Sequence, residues 1–290
     1  MAASIRAAAG FPAVMALGIV SVGAAELGQR ALSIAAGVLA GAVYVAVAPA
    51  WADHWRHRRA SPESFAAVAA TAVLGTRLAL AHVHALPAVL LGLATAAWVA
   101  MWLGLRRTRD LGAPTGTRLL LVVSTQSLVV LATFAARSLA GPAVVVFAVG
   151  LVLYPAILAG IPSSELRVSQ GDVWIAMGAI AISTLAAARL SLLVAHRPLR
   201  VAALVLWACA TAGLPVLAAA ELRWPRPRFH PRRWGTVFPL GMYAAATVAV
   251  ATATHVDEPT LARFAFWAAV AAGALTALGA ARAVVEDARS

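Results

Sequence analysis

Ten runs of mostly apolar residues, each 17–24 long, follow one another along the 290-residue chain and are separated only by short breaks rich in arginine, proline or histidine. A helix that crosses the hydrocarbon of a bilayer needs about 20 such residues, and only helices or closed barrels satisfy their own backbone there. With 62% hydrophobic and 12% charged residues, too little polar surface remains to wrap a water-soluble globule. The chain therefore reads as an all-α integral membrane protein, with one transmembrane domain over residues 1–290. The expected spans are Phe11–Leu27, Ala31–Trp51, Ser64–His82, Ala85–Leu105, Thr117–Ala136, Gly141–Ile161, Asp172–Ala195, Leu199–Ala220, Trp234–Thr254 and Leu261–Val284. The first has no convincing cleavage site before Glu26, so it reads as a retained span and not as a signal peptide.

Every basic residue is arginine; there is no lysine, which excludes a retinal Schiff base or a lysine nucleophile. The net charge of +12 does not point to nucleic acid, because the arginines lie in short runs between spans instead of forming one basic face. They act as topology signals. With an inside N-terminus, 16 of the 23 arginines fall on inside segments, five on outside ones, and Arg77 and Arg189 within spans. Both termini are thus expected on the cytoplasmic side of the plasma membrane. The outside links, 28–30, 83–84, 137–140, 196–198 and 255–260, are short, so the chain reads as five successive helical hairpins.

Hydroxyl and amide groups concentrate in the odd-numbered spans: Ser21, then Thr71 and Thr76, then Ser124, Thr125, Gln126 and Ser127, then Ser183 and Thr184, then Thr236, Tyr243, Thr247 and Thr252. The even spans hold few, among them Thr95, Thr211 and Thr276. A polar group in hydrocarbon needs a partner or a wet cavity, so odd helices inside and even helices facing lipid is the economical arrangement. On this reading Ser21, Thr71, Thr76, Ser124, Gln126, Thr184, Tyr243 and Thr247 line a pore; the competing reading is that they bond back to their own helix or glue helices together. Arg77, Arg137 and Arg189 fall near the outer ends of the third, fifth and seventh spans, where they would ring an anion-attracting vestibule or else snorkel to the headgroups. Glu26 lies at the matching depth to neutralise one of them.

Catalysis has no candidate residues. No carboxylate pair, Ser-His-Asp set or phosphate-binding glycine loop is visible. The pairs His54/His57 and His82/His84 lack a third ligand, and the single cysteine, Cys209, sits in an apolar run. No cofactor and no metal is expected.

Two segments carry a family resemblance. The first span reads Phe11-Pro12-Ala13-Val14-Met15-Ala16-Leu17-Gly18-Ile19-Val20-Ser21, and the ninth contains Trp234-Gly235-Thr236-Val237-Phe238-Pro239-Leu240-Gly241-Met242-Tyr243. With Val73-Leu74-Gly75-Thr76-Arg77-Leu78 and Ser124-Thr125-Gln126-Ser127 in support, the chain resembles the tellurite-resistance/C4-dicarboxylate transporter family, within the voltage-dependent anion channel superfamily that includes the plant slow anion channels. The resemblance implies five hairpins with odd helices around a central pore and even helices outside, a homotrimer with one pore per subunit, and passage of small anions. It also implies a phenylalanine gate, at the position Phe238 occupies, with Phe11 as a second candidate before a proline. The plant members' long phosphorylatable tail is absent, so control by kinases is not expected. An anion channel is the leading expectation, and a proton-coupled carrier of dicarboxylates, or of oxyanions such as sulfite or tellurite, the alternative. A membrane enzyme or a non-transporting structural protein is disfavoured by the missing catalytic set and the polar odd helices.

Overall fold

The computed structural model describes residues 2–56, 60–108, 111–226, 229–256 and 259–287. His57 of the His54/His57 pair, and Arg58, Arg59, Arg109, Arg228 and Arg289 of the inside links and C-terminal segment, lie outside the described residues. Ten long helices appear among the described residues: α1 (Ala2–Glu26), α2 (Arg30–Arg56), α3 (Phe65–Leu80), α4 (Leu86–Thr108), α5 (Leu120–Ala135), α6 (Ala140–Leu158), α7 (Trp174–Val194), α8 (Arg197–Arg223), α9 (Trp234–Thr254) and α10 (Pro259–Asp287). Nine of the spans are long and apolar enough to cross a membrane, and α1 adds the shorter apolar stretch Gly10–Glu26. A single-turn helix, Glu165–Val168, interrupts the link before α7, which hydropathy alone does not register.

The helices arrange as two concentric layers. Odd helices touch in the order α1–α3–α5–α7–α9 and back to α1, closing a five-membered ring. Each even helix lies in the groove between two odd neighbours: α2 on α1 and α3, α4 on α3 and α5, α6 on α5 and α7, α8 on α7 and α9, α10 on α9 and α1. In α3, α5, α7 and α9, between 61% and 78% of the span is buried, against 17–22% in the even helices. That difference assigns the odd helices to the interior and leaves the apolar faces of the even ones, such as Val38, Val45, Val152 and Leu275, for lipid.

Small residues let the inner ring close. A Cβ at Gly18 of α1 would lie 2.6 Å from Val73 Cγ1 of α3, one at Gly75 of α3 would lie 2.7 Å from Leu131 Cδ2 of α5, and one at Gly178 of α7 would lie 2.9 Å from Pro239 Cγ of α9. Gly241 of α9 makes the same room for Ile19 of α1. With no hydrophobic drive between helices in lipid, such close backbone approach carries much of the packing.

Polar bonds then tie the outer layer to the inner one, joining α2, α4, α6 and α8 each to the odd helix that follows it. Tyr44 Oη of α2 meets Thr71 Oγ1 of α3 at 2.8 Å. Trp98 Nε1 of α4 donates to Thr125 Oγ1 of α5, and Trp207 Nε1 of α8 donates to Thr247 Oγ1 of α9, both at 3.0 Å. Between α6 and α7, Tyr154 Oη donates to the Ala176 carbonyl at 3.2 Å.

Candidate functional site

Because every hairpin leaves and returns, the five odd helices run parallel, and all begin on the face that bears both chain termini. The N-terminal ends of α3, α5, α7 and α9 carry unpaired backbone N–H groups and the positive end of the helix dipole, and they converge on one mouth that α1 passes at Pro12 and Met15. Prolines at the first positions of the short 3₁₀ turns preceding α3 (Pro62–Ser64) and α9 (Pro231–Arg233) fix these starts without losing a backbone bond. His230 Nδ1 accepts from the Arg232 N–H at 3.2 Å.

A cavity of about 370 Å³ opens at this mouth, lined by Pro12 and Met15 of α1, Glu63, Thr117, Leu120 of α5, Asp172, Ile175 of α7, and His230, Pro231, Arg232, Trp234, Gly235 and Phe238 around the start of α9. It is of the size that holds a small ligand. Its polar groups are arranged as pairs. Thr117 Oγ1 donates to Glu63 Oε1 at 3.1 Å, and Arg232 Nη1 donates to Asp172 Oδ2 at 3.0 Å. Burial pushes the Asp172 carboxyl up to about 6, against the pull of Arg232. His230 is pushed down, by burial first and by Arg232 second.

Phe238 forms the inner end of this cavity and is 3% exposed. One turn beyond it, Met242 borders a second void of about 20 Å³, to which all five odd helices contribute: Ile19 and Val22, Ala72, Val73 and Thr76, Ser127 and Val130, Ile182 and Leu185, and Met242. The two voids share helix faces, since Met15 leads to Ile19, Leu120 to Ser127, Ile175 to Ile182 and Phe238 to Met242 at helical spacings of four or seven. They therefore follow one another along the same helix faces, about 6–10 Å apart. The upper void has room for about one water. Pro239 lacks the N–H that would bond the Gly235 carbonyl, which frees that carbonyl at the cavity wall.

One further turn along the same faces come Glu26, Phe134 and Arg189. Arg189 lies over the Phe134 ring, 3.8 Å from its centroid, and interacts electrostatically with Glu26. These three cap the outer end of the axis.

The chain belongs to the voltage-dependent anion channel family. The family's sequence profile matches residues 7–284, nearly the whole chain. Two uncharacterized membrane proteins of Mycobacterium tuberculosis, one from strain CDC 1551 / Oshkosh and one from strain H37Rv, are each 31% identical over 118 residues, 36% of this chain. The match spans 59% of those relatives' length.

Within this family member, the residues singled out from sequence fall into three groups. Thr76 lies on the axial void, and Ser124 falls on the same face of α5, between Leu120 and Ser127, bonding back to the Leu121 carbonyl. Thr71, Gln126, Tyr243 and Thr247 turn instead toward the outer helices. Thr71 meets Tyr44 and Thr247 meets Trp207, while Gln126 Nε2 donates to the Phe147 carbonyl and Tyr243 Oη pairs with Thr211 Oγ1 at 2.6 Å. Thr184 is buried and bonds the Ile180 carbonyl of its own helix. Ser21 is taken up by α2: its hydroxyl donates to the Ser33 carbonyl at 2.5 Å and accepts from Arg77 Nε at 2.8 Å. Arg77 is thus a brace between α1, α2 and α3, and Arg137 is exposed beyond α5, so the three arginines do not form one ring. Phe11 packs edge-on against Tyr44 and Trp51, 5.9 and 6.0 Å away, and its neighbour Pro12 is the residue that reaches the cavity.

Sequence reasoning passed over Glu63, Thr117, Asp172, His230 and Arg232, because hydropathy treats the segments before each span as mere breaks. The signal available was their position, each within a few residues of the start of an odd span. Among the described residues no group of three His, Cys, Asp or Glu is placed to hold a metal ion.

Proposed function

We propose that this protein passes small anions along the axis of its inner helix ring and that Phe238 closes the path. The observation that supports this reading is the position of Phe238 on the wall of the mouth cavity, one helical turn before Met242 of the second void. An apolar ring in a narrow path excludes both ions and the water that would hydrate them. The parallel N-termini of α3, α5, α7 and α9 draw anions to the mouth, and no formal cation has to be buried in the middle of the path to do so. Membership of the family supports anions as the cargo. Chloride and other small inorganic anions, and C4-dicarboxylates, are the substrate class.

A second reading, a proton-coupled carrier of dicarboxylates or of oxyanions such as sulfite or tellurite, is favoured by one feature: a buried carboxyl at the mouth, Asp172, that exchanges its proton near pH 6. The same proposal includes a plasma-membrane location with cytoplasmic termini, supported by the arginine asymmetry of the links, and a homotrimer. Each chain encloses its own axis, so the path does not depend on the assembly.

The test is flux into sealed liposomes carrying the purified protein. A channel gives chloride and malate currents that reverse at the anion equilibrium potential and do not saturate at low millimolar concentration. Saturating uptake that requires an imposed proton gradient would replace the channel with the carrier, and vesicles that stay impermeable to every anion tried, with Phe238→Ala as well, would remove both.

A further inference from the structure

A second cavity, of about 500 Å³, lies outside the helix ring at the same face as the mouth, between the end of α8, the start of α9 and the last third of α10. Its upper wall is basic: Arg226, Arg233 and Arg282 stand against one carboxylate, Glu221. Glu221 holds two of the guanidiniums in place, accepting from Arg226 Nη1 at 2.8 Å and Arg233 Nη1 at 2.5 Å. The remaining arms of those two donate to the Leu166 and Arg226 carbonyls, so the pair forms a rigid wall. Arg282, exposed on α10, makes no ion pair among the described residues. Three cations, two of them held in place, against one anion leave the wall positively charged.

Two buried polar atoms here lack a partner among the described residues. Arg226 Nε belongs to a side chain that is nine-tenths buried, and Thr236 Oγ1 sits in the first turn of α9. A donor and a hydroxyl left unsatisfied in a basic cavity call for an acceptor that the chain itself does not supply. The lower wall is apolar. Phe229 lies against Gly279, where a Cβ would come within 3.0 Å of the ring, and Leu275 and Leu278 continue onto the exposed flank of α10 at 71% and 58% exposure. Such a site is cationic at headgroup level and apolar below, and it opens sideways instead of onto the axis.

From this pairing we infer that the cavity binds an anionic phospholipid, with the phosphate on Arg226, Arg233, Arg282 and Thr236 and an acyl chain along Leu275 and Leu278. A guanidinium cluster matches phosphate oxygens in charge and geometry, and arginines at the membrane surface select anionic over zwitterionic lipids. The inference does not rest on the axial path, and the experiment reads no flux.

Delipidated protein is titrated with phosphatidylglycerol and, separately, with phosphatidylcholine, and retained lipid is counted by native mass spectrometry. The wild-type protein is expected to hold phosphatidylglycerol at least about fivefold more tightly, and Arg282→Gln to lose about that factor with unchanged melting temperature. Arg282→Lys, which keeps the charge, retains most of the preference. Thr236→Val, a near-isosteric change, weakens phosphatidylglycerol on its own and keeps the test alive should Arg282→Gln fold poorly. Equal retention of the two lipids would overturn the inference. So would displacement of phosphatidylglycerol by millimolar inorganic phosphate, which would mark a free-oxyanion site. A change of oligomeric mass in Arg282→Gln with lipid retention intact would assign the face to a contact between copies and overturn it too.

Discussion

Asp172 and Arg232 face each other across the mouth of the inner cavity with Nη1 3.0 Å from Oδ2, and the two partners are unequally wet: the carboxylate is 2% exposed, the guanidinium 48%. Burial therefore acts mainly on the acid, which is why its proton is held up to about pH 6 even beside a cation. Above that pH the mouth carries the Asp172 charge together with the nearby Glu63 and Glu165, opposed by Arg232. Below it, Asp172 is neutral, Arg232 is unpaired in charge by it, and the helix N-termini face one carboxylate fewer.

The direction of the pH response follows. Anion flux is expected to rise as pH at the termini-bearing face falls from 7 to 5, with a midpoint near 6. Asp172→Asn should start at the high level and lose most of that dependence. His230, pushed below its usual range, adds a smaller rise at lower pH, and His230→Gln isolates it. Flux measured with the pH stepped on one side of oriented vesicles decides the matter; a wild-type profile that is flat, or that falls with acid, would contradict the assignment.

If Phe238, on the wall of the mouth cavity one turn before Met242 of the second void, closes the path as proposed, removing its ring should open it. Phe238→Ala is expected to raise anion flux on the order of tenfold or more, since a dewetted constriction is lost. Its neighbours Met15 and Leu120 keep the cavity wall. Phe238→Leu, which retains bulk, should stay near the closed level and controls for loosened packing, because a core Phe→Ala change costs about 3–5 kcal/mol. Equal flux in the alanine, leucine and wild-type proteins, with normal assembly by size-exclusion, would remove the gate.

Arg77 and Arg189 look alike in sequence yet are placed for different work. Arg189 extends the axial face of α7 one turn beyond Leu185 and lies over the Phe134 ring, whereas Arg77 turns away from Thr76 to brace Ser21. Arg189→Gln is expected to shift the reversal potential toward lower anion preference. Arg77→Gln should leave the reversal potential alone and lower the melting temperature, since the Ser21 and Ser33 hydroxyls then lose part of their network. A bi-ionic measurement on both variants separates them; equal shifts would place both at the path.

How far the sequence anticipates the molecule depends on which force is in question. Membrane crossing, the hairpins and the division into inner and outer helices follow from hydropathy and from the polar enrichment of the odd spans, because both are set by contact with lipid. The enrichment has a second cause, however, that one-dimensional patterning does not distinguish. Thr71, Thr125 and Thr247 are polar because Tyr44, Trp98 and Trp207 of the outer layer need partners in hydrocarbon. The axial void is bordered mostly by Ile19, Val22, Val73, Val130, Ile182 and Leu185, which read as ordinary core. Which face of an inner helix meets the axis is decided by its rotation, and rotation is fixed by steric fits such as Gly178 on Pro239, invisible until both helices are in place.

That distinction is itself measurable at Thr247. If its hydroxyl serves the α8–α9 contact, Thr247→Val leaves the Trp207 N–H without its acceptor in hydrocarbon, and the protein should lose stability by about 0.6–1.7 kcal/mol, the range seen for interhelical hydrogen bonds in membranes. Trp207→Phe should cost a similar amount, and the double variant little more than either alone, because each change removes the same bond. Ion selectivity should be unaltered in all three, since Thr247 borders neither void. A melting series in one detergent with reversal potentials on the same preparations reads both quantities. Additive losses, or a change in selectivity with stability intact, would return Thr247 to the lining of the path.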